Sequence, residues 1–307
     1  MAAIVIRDVS KQFGTVTAVD ALTLEVPEGS IYGFIGPNGS GKTTTIRMIM
    51  NLLVPDRGSI EVLGHVPGSG VRDLIGYLPE ERGLYKRMTA RQVLRYYGQL
   101  KGRSVSDVDA AVAEWIAPLD VGPWLDKKVN ALSKGMSQKV QFISTIVARP
   151  RLLILDEPFS GLDPVNADVV RAAVLELRRR GTTIVFSTHD MSSAERMCDR
   201  IFMIFQGRKV LDGSLDQIQA RYGQDTIRVR TERGPAALEG LAGIDAVTDF
   251  GNYQDVRFSG DAQAFLTALA ARTPIRHFEL TKPSLNDIFI RIAKPSGSHV
   301  TAQAGAD

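Results

Sequence analysis

Gly36-Pro37-Asn38-Gly39-Ser40-Gly41-Lys42-Thr43 is the stretch on which the reading of this chain turns. It satisfies the pattern G-x-x-x-x-G-K-[ST] in the context that gives the pattern a mechanism. The apolar run Ile31 to Ile35 before it reads as a strand, and the segment after it carries Ile46, Ile49, Met50 and Leu53 on one helical face. The glycines let the backbone curl so that several N–H groups point inward, and the helix N-terminus adds partial positive charge. Lys42 is expected to reach the β- and γ-phosphates of a bound nucleotide, Thr43 to ligate Mg²⁺, and Thr44 to extend the phosphate site into the helix.

A second element follows downstream. Leu152-Leu153-Ile154-Leu155-Asp156-Glu157 reads as a buried strand ending in two acids, at the sheet edge where α/β proteins place ligands. Asp156 suits Mg²⁺, and Glu157, one residue further on, suits the positioning or deprotonation of an attacking water. A lone acid pair after a strand would read as a helix cap; with Lys42 upstream, hydrolysis is the better reading. Ser187-Thr188-His189-Asp190 closes another apolar strand, Thr183 to Ser187, and brings His189 to the same edge, towards the γ-phosphate.

Strands and helices alternate around these motifs, which predicts a parallel sheet in an α/β fold. Ile4 to Val9, Ala18 to Val26 and Ser59 to Leu63 read as strands of a β-rich part, and a helical insertion is expected over about 84–148. Asp163, Pro164 and Gly181 punctuate a helix as cap, first-turn proline and terminating glycine. The order strand, helix (Ala236 to Leu241), two strands, helix, strand after residue 221 suggests a small α+β ferredoxin-like unit over 221–293, following a first domain over 1–220. A last helix, Leu285 to Ala293, is expected to pack back on the body, and the Gly-, Ser- and Ala-rich segment 294–307 reads as a disordered tail.

Composition narrows the classes. The 307 residues carry a formal net charge of only +3, with Lys and Arg spread among Asp and Glu, so nothing points to nucleic acid. The densest basic run, Arg178-Arg179-Arg180, falls at a helix end, where cations suit the dipole. No stretch approaches the roughly 20 apolar residues of a membrane span, and no secretory signal is read at the N-terminus. A cytoplasmic chain is expected. The single cysteine, Cys198, has no disulfide partner.

From Ile4 to about Ser214 the chain resembles the ATPase domain of ABC transporters. Leu132-Ser133-Lys134-Gly135-Met136 resembles the family signature, Ser160-Gly161-Leu162-Asp163 its D-loop, Phe13 its adenine-stacking aromatic and His189 its switch histidine. The resemblance implies a P-loop NTPase core with β-rich and helical subdomains. It also implies that Ser133, Lys134, Gly135 and Met136 cap the γ-phosphate of an ATP bound by an opposite subunit, either a second copy or a paralogous ATPase. Two departures stand out. The usual Leu-Ser-Gly-Gly-Gln is here Leu-Ser-Lys-Gly-Met, and Tyr77-Leu78-Pro79-Glu80 has Glu80 where the family has glutamine. Glu80 can ligate Mg²⁺, but when ionised it accepts hydrogen bonds without donating any. The run Leu78-Pro79-Glu80-Glu81-Arg82-Gly83-Leu84-Tyr85 and the segment Pro283 to Phe289 resemble bacterial exporter ATPases of the sodium-efflux and drug-resistance type. That implies ATP and Mg²⁺ as cofactors, separate transmembrane permease subunits, and a location on the cytoplasmic face of the inner or plasma membrane, peripheral through those subunits. Residues Tyr85 to Met88 are the expected docking segment for the membrane partner. The alternatives are a soluble ABC ATPase acting on nucleic acid or ribosomes, or a low-turnover nucleotide sensor.

Overall fold

The computed structural model describes residues 1–67, 70–81, 83–222 and 226–293; the expected tail over 294–307 lies outside them. The chain divides into two compact units, one ending at Ser214 and one beginning at Leu215.

In the first unit, β1 (Ala2–Phe13) and β2 (Val16–Pro27) form an antiparallel hairpin, and β3 (Ile31–Ile35) leads through the glycine-rich loop to α1 (Lys42–Ile49). β4 (Arg57–Val62) joins the hairpin in a three-stranded sheet of order β2-β1-β4, and β5 (Ile75–Leu78) enters the main sheet. The helical insertion is α2 (Ala90–Leu100), α3 (Val105–Leu119) and α4 (Lys134–Ile146). Side chains set where these helices begin: Thr89 and Gln92 form a reciprocal capping box at α2, and Ser104 and Ser133 cap α3 and α4. Then follow β6 (Leu152–Asp156), α5 (Pro164–Arg179), β7 (Thr183–Thr188), α6 (Met191–Met197), β8 (Arg200–Phe205) and β9 (Arg208–Gly213). The main sheet runs β5-β6-β7-β3-β8-β9, parallel except for the antiparallel β8–β9 pair.

Both faces of that sheet are covered, which is why its strands read as unbroken apolar runs. Leu153, Leu155, Ile184 and Phe186 pack towards the helical insertion, among Val93, Leu94, Trp115, Phe142 and Ile143. Their strand neighbours Leu152, Ile154 and Val185 pack the other way, with Tyr32, Phe34, Ile46 and the hairpin residues Ile4, Ile6 and Val19. The period of two along each strand thus feeds two separate cores.

The second unit begins with α7 (Leu215–Tyr222), ahead of the expected boundary between 220 and 221. It continues with β10 (Thr226–Thr231), β11 (Ile244–Asp249), β12 (Gln254–Phe258), α8 (Ala262–Ala270), β13 (Ile275–Thr281) and α9 (Leu285–Ala293). Its antiparallel sheet has the order β11-β12-β10-β13, the strand order of a ferredoxin-like unit. Ile227, Val229 and Val256 bury one face of it against Phe265 and Leu269 of α8. The helix expected at Ala236 to Leu241 is only a 3₁₀ turn, Gly234–Ala237. Glycines at 240 and 243, both at positive φ, stop the chain from propagating an α-helix there. α9 buries Leu285 and Ile288 and packs with α7.

Candidate active site

Strand register brings the expected site residues to one edge. In the parallel ladder Ile35 lies beside Thr188, and Asp156 beside Ser187, so the glycine-rich loop, the acid pair and His189 all leave the sheet together at its carboxyl end. The loop itself is tightly fitted. Gly41 sits at φ +113 with Ala18 O 2.5 Å from where a Cβ would stand, a place no L side chain can occupy. Ala18 lies on β2, and two residues earlier Val16 pairs with Phe13 across the hairpin turn. Phe13 is half exposed there, with Lys11 Nζ 5.7 Å from its ring centroid.

Lys42 is 6% exposed, and its Nζ donates to Gly36 O at 2.7 Å and Pro37 O at 3.1 Å. Burial lowers its pKa, while the charges of Glu157, Asp156 and Glu80 oppose that shift, which places all three carboxylates in electrostatic reach of one ammonium. Ser40 Oγ is buried in the same loop with no hydrogen-bond partner. A buried, orphaned hydroxyl beside a desolvated lysine is the signature of a site built for an anion.

Asp156 is buried, and its carboxyl is pushed up first by that burial and then by the charges of Glu157 and Glu80. Three acids around one lysine leave the site with excess negative charge, so a cation fits it. No cluster of three or more His, Cys, Asp or Glu forms a metal cage among the described residues. Thr43, in the first turn of α1, and Asp156, the last residue of β6, carry oxygens of the kind a divalent cation takes.

Glu157 departs from regular geometry. It adopts φ +48, a strained value for a non-glycine residue. Its N–H donates to Ser187 O at 3.0 Å, so the neighbouring strand holds the bend. Its Oε1 accepts from His189 N at 2.8 Å and lies 2.7 Å from His189 Nδ1, and its Oε2 accepts from Thr188 Oγ1 at 3.1 Å. The general-base candidate is therefore oriented by the end of β7, with His189 as its immediate partner.

Residues that sequence reasoning missed complete the surroundings. A cavity of about 20 Å³, large enough for one water, is lined by Glu80, Glu157, Gln138, Gln141 and Ser160. Gln138 and Gln141 belong to α4. Gln138 Nε2 donates to Pro158 O at 2.5 Å and Gln141 Nε2 to Glu81 O at 3.3 Å, tying α4 to the loops that carry Glu157 and Glu80. Two polar residues three apart on an amphipathic helix read as an ordinary solvated face; their burial was the signal, and only packing reveals it.

The residues Ser133 to Met136 open that same helix, but among the described residues no hydrogen bond joins them to the loop of Lys42. They lie instead against their own D-loop segment. Gly135 approaches Asn166 and Leu162, and a Cβ on Gly161 would collide with Lys134 Nζ. Asp163 is used as the α5 cap, accepting from Asn166 N at 2.9 Å. Cys198 is partly buried with its Sγ close against Gly33, and desolvation pushes its thiol well above the usual range.

Comparison with known proteins bears on these groups. The family described as ABC transporter matches residues 19–160, and that described as ATP-binding protein DrrA1-3-like, C-terminal domain, matches residues 213–293. The chain is similar to the uncharacterized ABC transporter ATP-binding protein YhaQ of Bacillus subtilis, 39% identical over 287 residues that cover 93% of this chain and 96% of that one. It is 33% identical to the Nod factor export ATP-binding protein I of Burkholderia lata, covering 93% and 95%, and 29% identical to the linearmycin resistance ATP-binding protein LnrL of Bacillus subtilis, covering 93% and 96%. A solved ATP-binding subunit of an ABC transporter matches with TM-score 0.68 and 31% identity, over 72% of this chain and 93% of that one.

Proposed function

This chain belongs to the ATP-binding subunits of ABC transporters, which bind and hydrolyse ATP, and on that premise we propose that it energises an exporter through separate membrane subunits, working as one half of a two-chain ATP sandwich. The observation that carries the reading is the convergence of Lys42, Asp156, Glu157 and His189 at one sheet edge, with the Glu157 carboxylate already oriented by His189 and Thr188.

In this reading the loop of residues 36–44 cradles the triphosphate, Lys42 turns from its loop carbonyls to the terminal phosphates, and Phe13 offers its ring to the base. Thr43 and Asp156, with Glu80 near by, would hold Mg²⁺, which would supply neutralisation of phosphate charge. Glu157 positions the attacking water and takes its proton, and His189 keeps the carboxylate aimed. Ser133, Lys134, Gly135 and Met136 meet the ATP of the opposite subunit, and Ser160 to Asp163 follow α4. The ties from Gln138 and Gln141 make α4 and both active-site loops one mechanical unit, so that closure of the two chains is felt at Glu80.

The export direction is supported by two relatives whose names specify Nod factor export and linearmycin resistance. Separate permease chains fit the finding that, among the described residues, no helix is long and apolar enough to cross a membrane. The docking surface is best placed beside the Glu80 loop. Tyr85 is half exposed and packs edge-on against Tyr96 at 5.3 Å, next to a groove of about 300 Å³ lined by Tyr77, Pro79, Leu84 and Tyr97. Met88, the other end of the expected segment, packs instead against the core of the helical insertion, so Tyr96 takes its place on the surface.

Purified in mild detergent, the chain is expected to carry a stoichiometric multi-span membrane protein. The complex should turn over ATP, with Glu157→Gln cutting the rate by about 10²–10⁴. Tyr85→Ser with Tyr96→Ser should lose the membrane chain while still binding ATP. Recovery with ribosomes or nucleic acid instead would move the protein to the soluble ATPases, and turnover indifferent to Glu157→Gln would favour a sensor.

A further inference from the structure

The end of the main sheet opposite the nucleotide site holds a cavity. Arg151 stands immediately before β6 and Thr182 immediately before β7, so the amino ends of these strands form one wall. Helices α3 and α5 and the last residue of α4, Ile146, supply the others. The space measures about 340 Å³. That lies within the range of small-molecule sites and far above the water-sized voids that close packing leaves. Its apolar lining includes the buried side chains of Trp115, Ile146 and Leu177. Its charged lining sets three guanidinium groups, those of Arg149, Arg151 and Arg180, against one carboxylate, Glu114.

Glu114 is divided between two of these arginines: one oxygen accepts from Arg149, the other from Arg180 Nη1 at 2.7 Å. Arg180 also donates through Nε to Glu176 Oε1 at 2.7 Å, but Glu176 gives its other oxygen to Arg179. Arg151 reaches only the limit of pairing, with Glu28 at 4.0 Å. The three arginine side chains are 47–67% exposed. Pairs so exposed contribute little, so an entering anion exchanges with them at small cost. Arg180 also lies over the Trp115 ring, 5.2 Å from its centroid, which sets a cation beside an aromatic surface. We propose that this cavity is a binding site for a small anion with a flat apolar body, an aromatic carboxylate in chemical class. The carboxylate meets the guanidinium charge that Glu114 alone does not neutralise, in the forked geometry arginine favours. The ring packs among Ile146, Leu177 and the Trp115–Arg180 stack. Such a ligand joins α3 of the helical insertion to the segments that lead into β6 and β7.

The probe is 1-naphthoate, titrated by calorimetry into the full chain, with 1-naphthamide as its neutral counterpart and inorganic phosphate as an anion without a ring. Naphthoate should bind with a dissociation constant of about 0.1 mM, the scale for a ligand of its size. Naphthamide and phosphate should each bind at least about tenfold more weakly. The chain has two tryptophans, Trp115 and Trp124. With both indoles ¹⁵N-labelled, naphthoate should move the Trp115 signal and leave that of Trp124 in place. Arg151→Gln removes an exposed guanidinium with a marginal partner, so the melting temperature should hold while naphthoate affinity falls about threefold or more. Arg180→Gln should weaken naphthoate further, by about tenfold. No naphthoate binding by the parent, or parental affinity in both arginine variants, would overturn the proposal. So would naphthamide or phosphate binding as tightly as naphthoate, which would reduce the site to an apolar cleft or a bare ion site. Loss of naphthoate binding in saturating ADP would put the probe in the nucleotide site and overturn it equally.

Discussion

Helices α1 and α4 both begin with groups suited to a phosphate, and they are built in opposite ways. At α1 the cap is Gly41, in a left-handed conformation with no side-chain bond, and the charged residue behind it is buried against the loop's own carbonyls. At α4 the cap is Ser133, which closes the first turn by a side-chain bond, and the charged residue behind it stands in solvent. In the proposed reading the first arrangement encloses the nucleotide's phosphates within one chain, and the second is half of a site that the opposite subunit completes. A helix start that already satisfies one of its own N–H groups needs no ligand to fold, so its remaining donors and its lysine are free for a second molecule.

The contrast is sharpest in ligand binding. Lys42→Ala should weaken ATP binding to the isolated chain by about 100-fold, since a buried ammonium-to-phosphate contact is lost from the enclosed site; titration with a fluorescent ATP analogue would reveal it. A loss no greater than that caused by removing Lys134 would erase the distinction between the two helix starts. Next in size is Ser133→Asp. Aspartate caps a helix as well as serine does, so the melting temperature should hold, yet a carboxylate facing phosphate should raise the ATP needed for dimerisation about tenfold or more. Normal dimerisation with an unchanged melting temperature would reduce Ser133 to a cap.

The smallest effect concerns the cost of the enclosed site. Burial raises the pKa of Asp156, so its charged form is disfavoured in the folded state and costs stability wherever it is ionised. That cost is full above the raised folded value and vanishes as pH falls through it towards the ordinary carboxylate range. In the absence of nucleotide and Mg²⁺, Asp156→Asn should therefore stabilise the chain at neutral pH by about 1–3 kcal/mol, while abolishing turnover. The advantage, read by thermal melting, should shrink on acidification; one that persisted at low pH would place its origin in packing.

How far each half could be read from the chain differs for the same reason. The α1 cradle is contiguous in sequence: Ile31 to Ile35, the glycines and Lys42 report on one another through backbone sterics and local periodicity. The acid pair and His189 were legible as strand ends, because two-sided burial writes unbroken apolar runs. Glu157's partners were not, since they depend on β6 and β7 being neighbours in register. Gln138 and Gln141 were invisible as site residues, because an amide on a helix looks the same whether water or a loop carbonyl receives its hydrogen bond. In the second unit the strand order followed from the alternation of elements, but Gly240 and Gly243 cut the first expected helix to a 3₁₀ turn, and packing against α9 drew α7 across the expected boundary.

What the sequence determined by itself was local: a glycine-rich loop between strand and helix, acids at strand ends, and capped helices. Periodicity, glycine conformations and capping act over a few residues, so they are written in neighbours. What only the tertiary structure decided was which distant groups meet: His189 on Glu157, α4 on both active-site loops, Lys134 over Gly161, Arg180 over Trp115 at the end of a basic run that read as mere dipole complement. Such meetings depend on how strands and helices cross, and the order β5-β6-β7-β3-β8-β9 that brings the glycine-rich loop, the acid pair and His189 to one edge leaves no periodic trace along the chain.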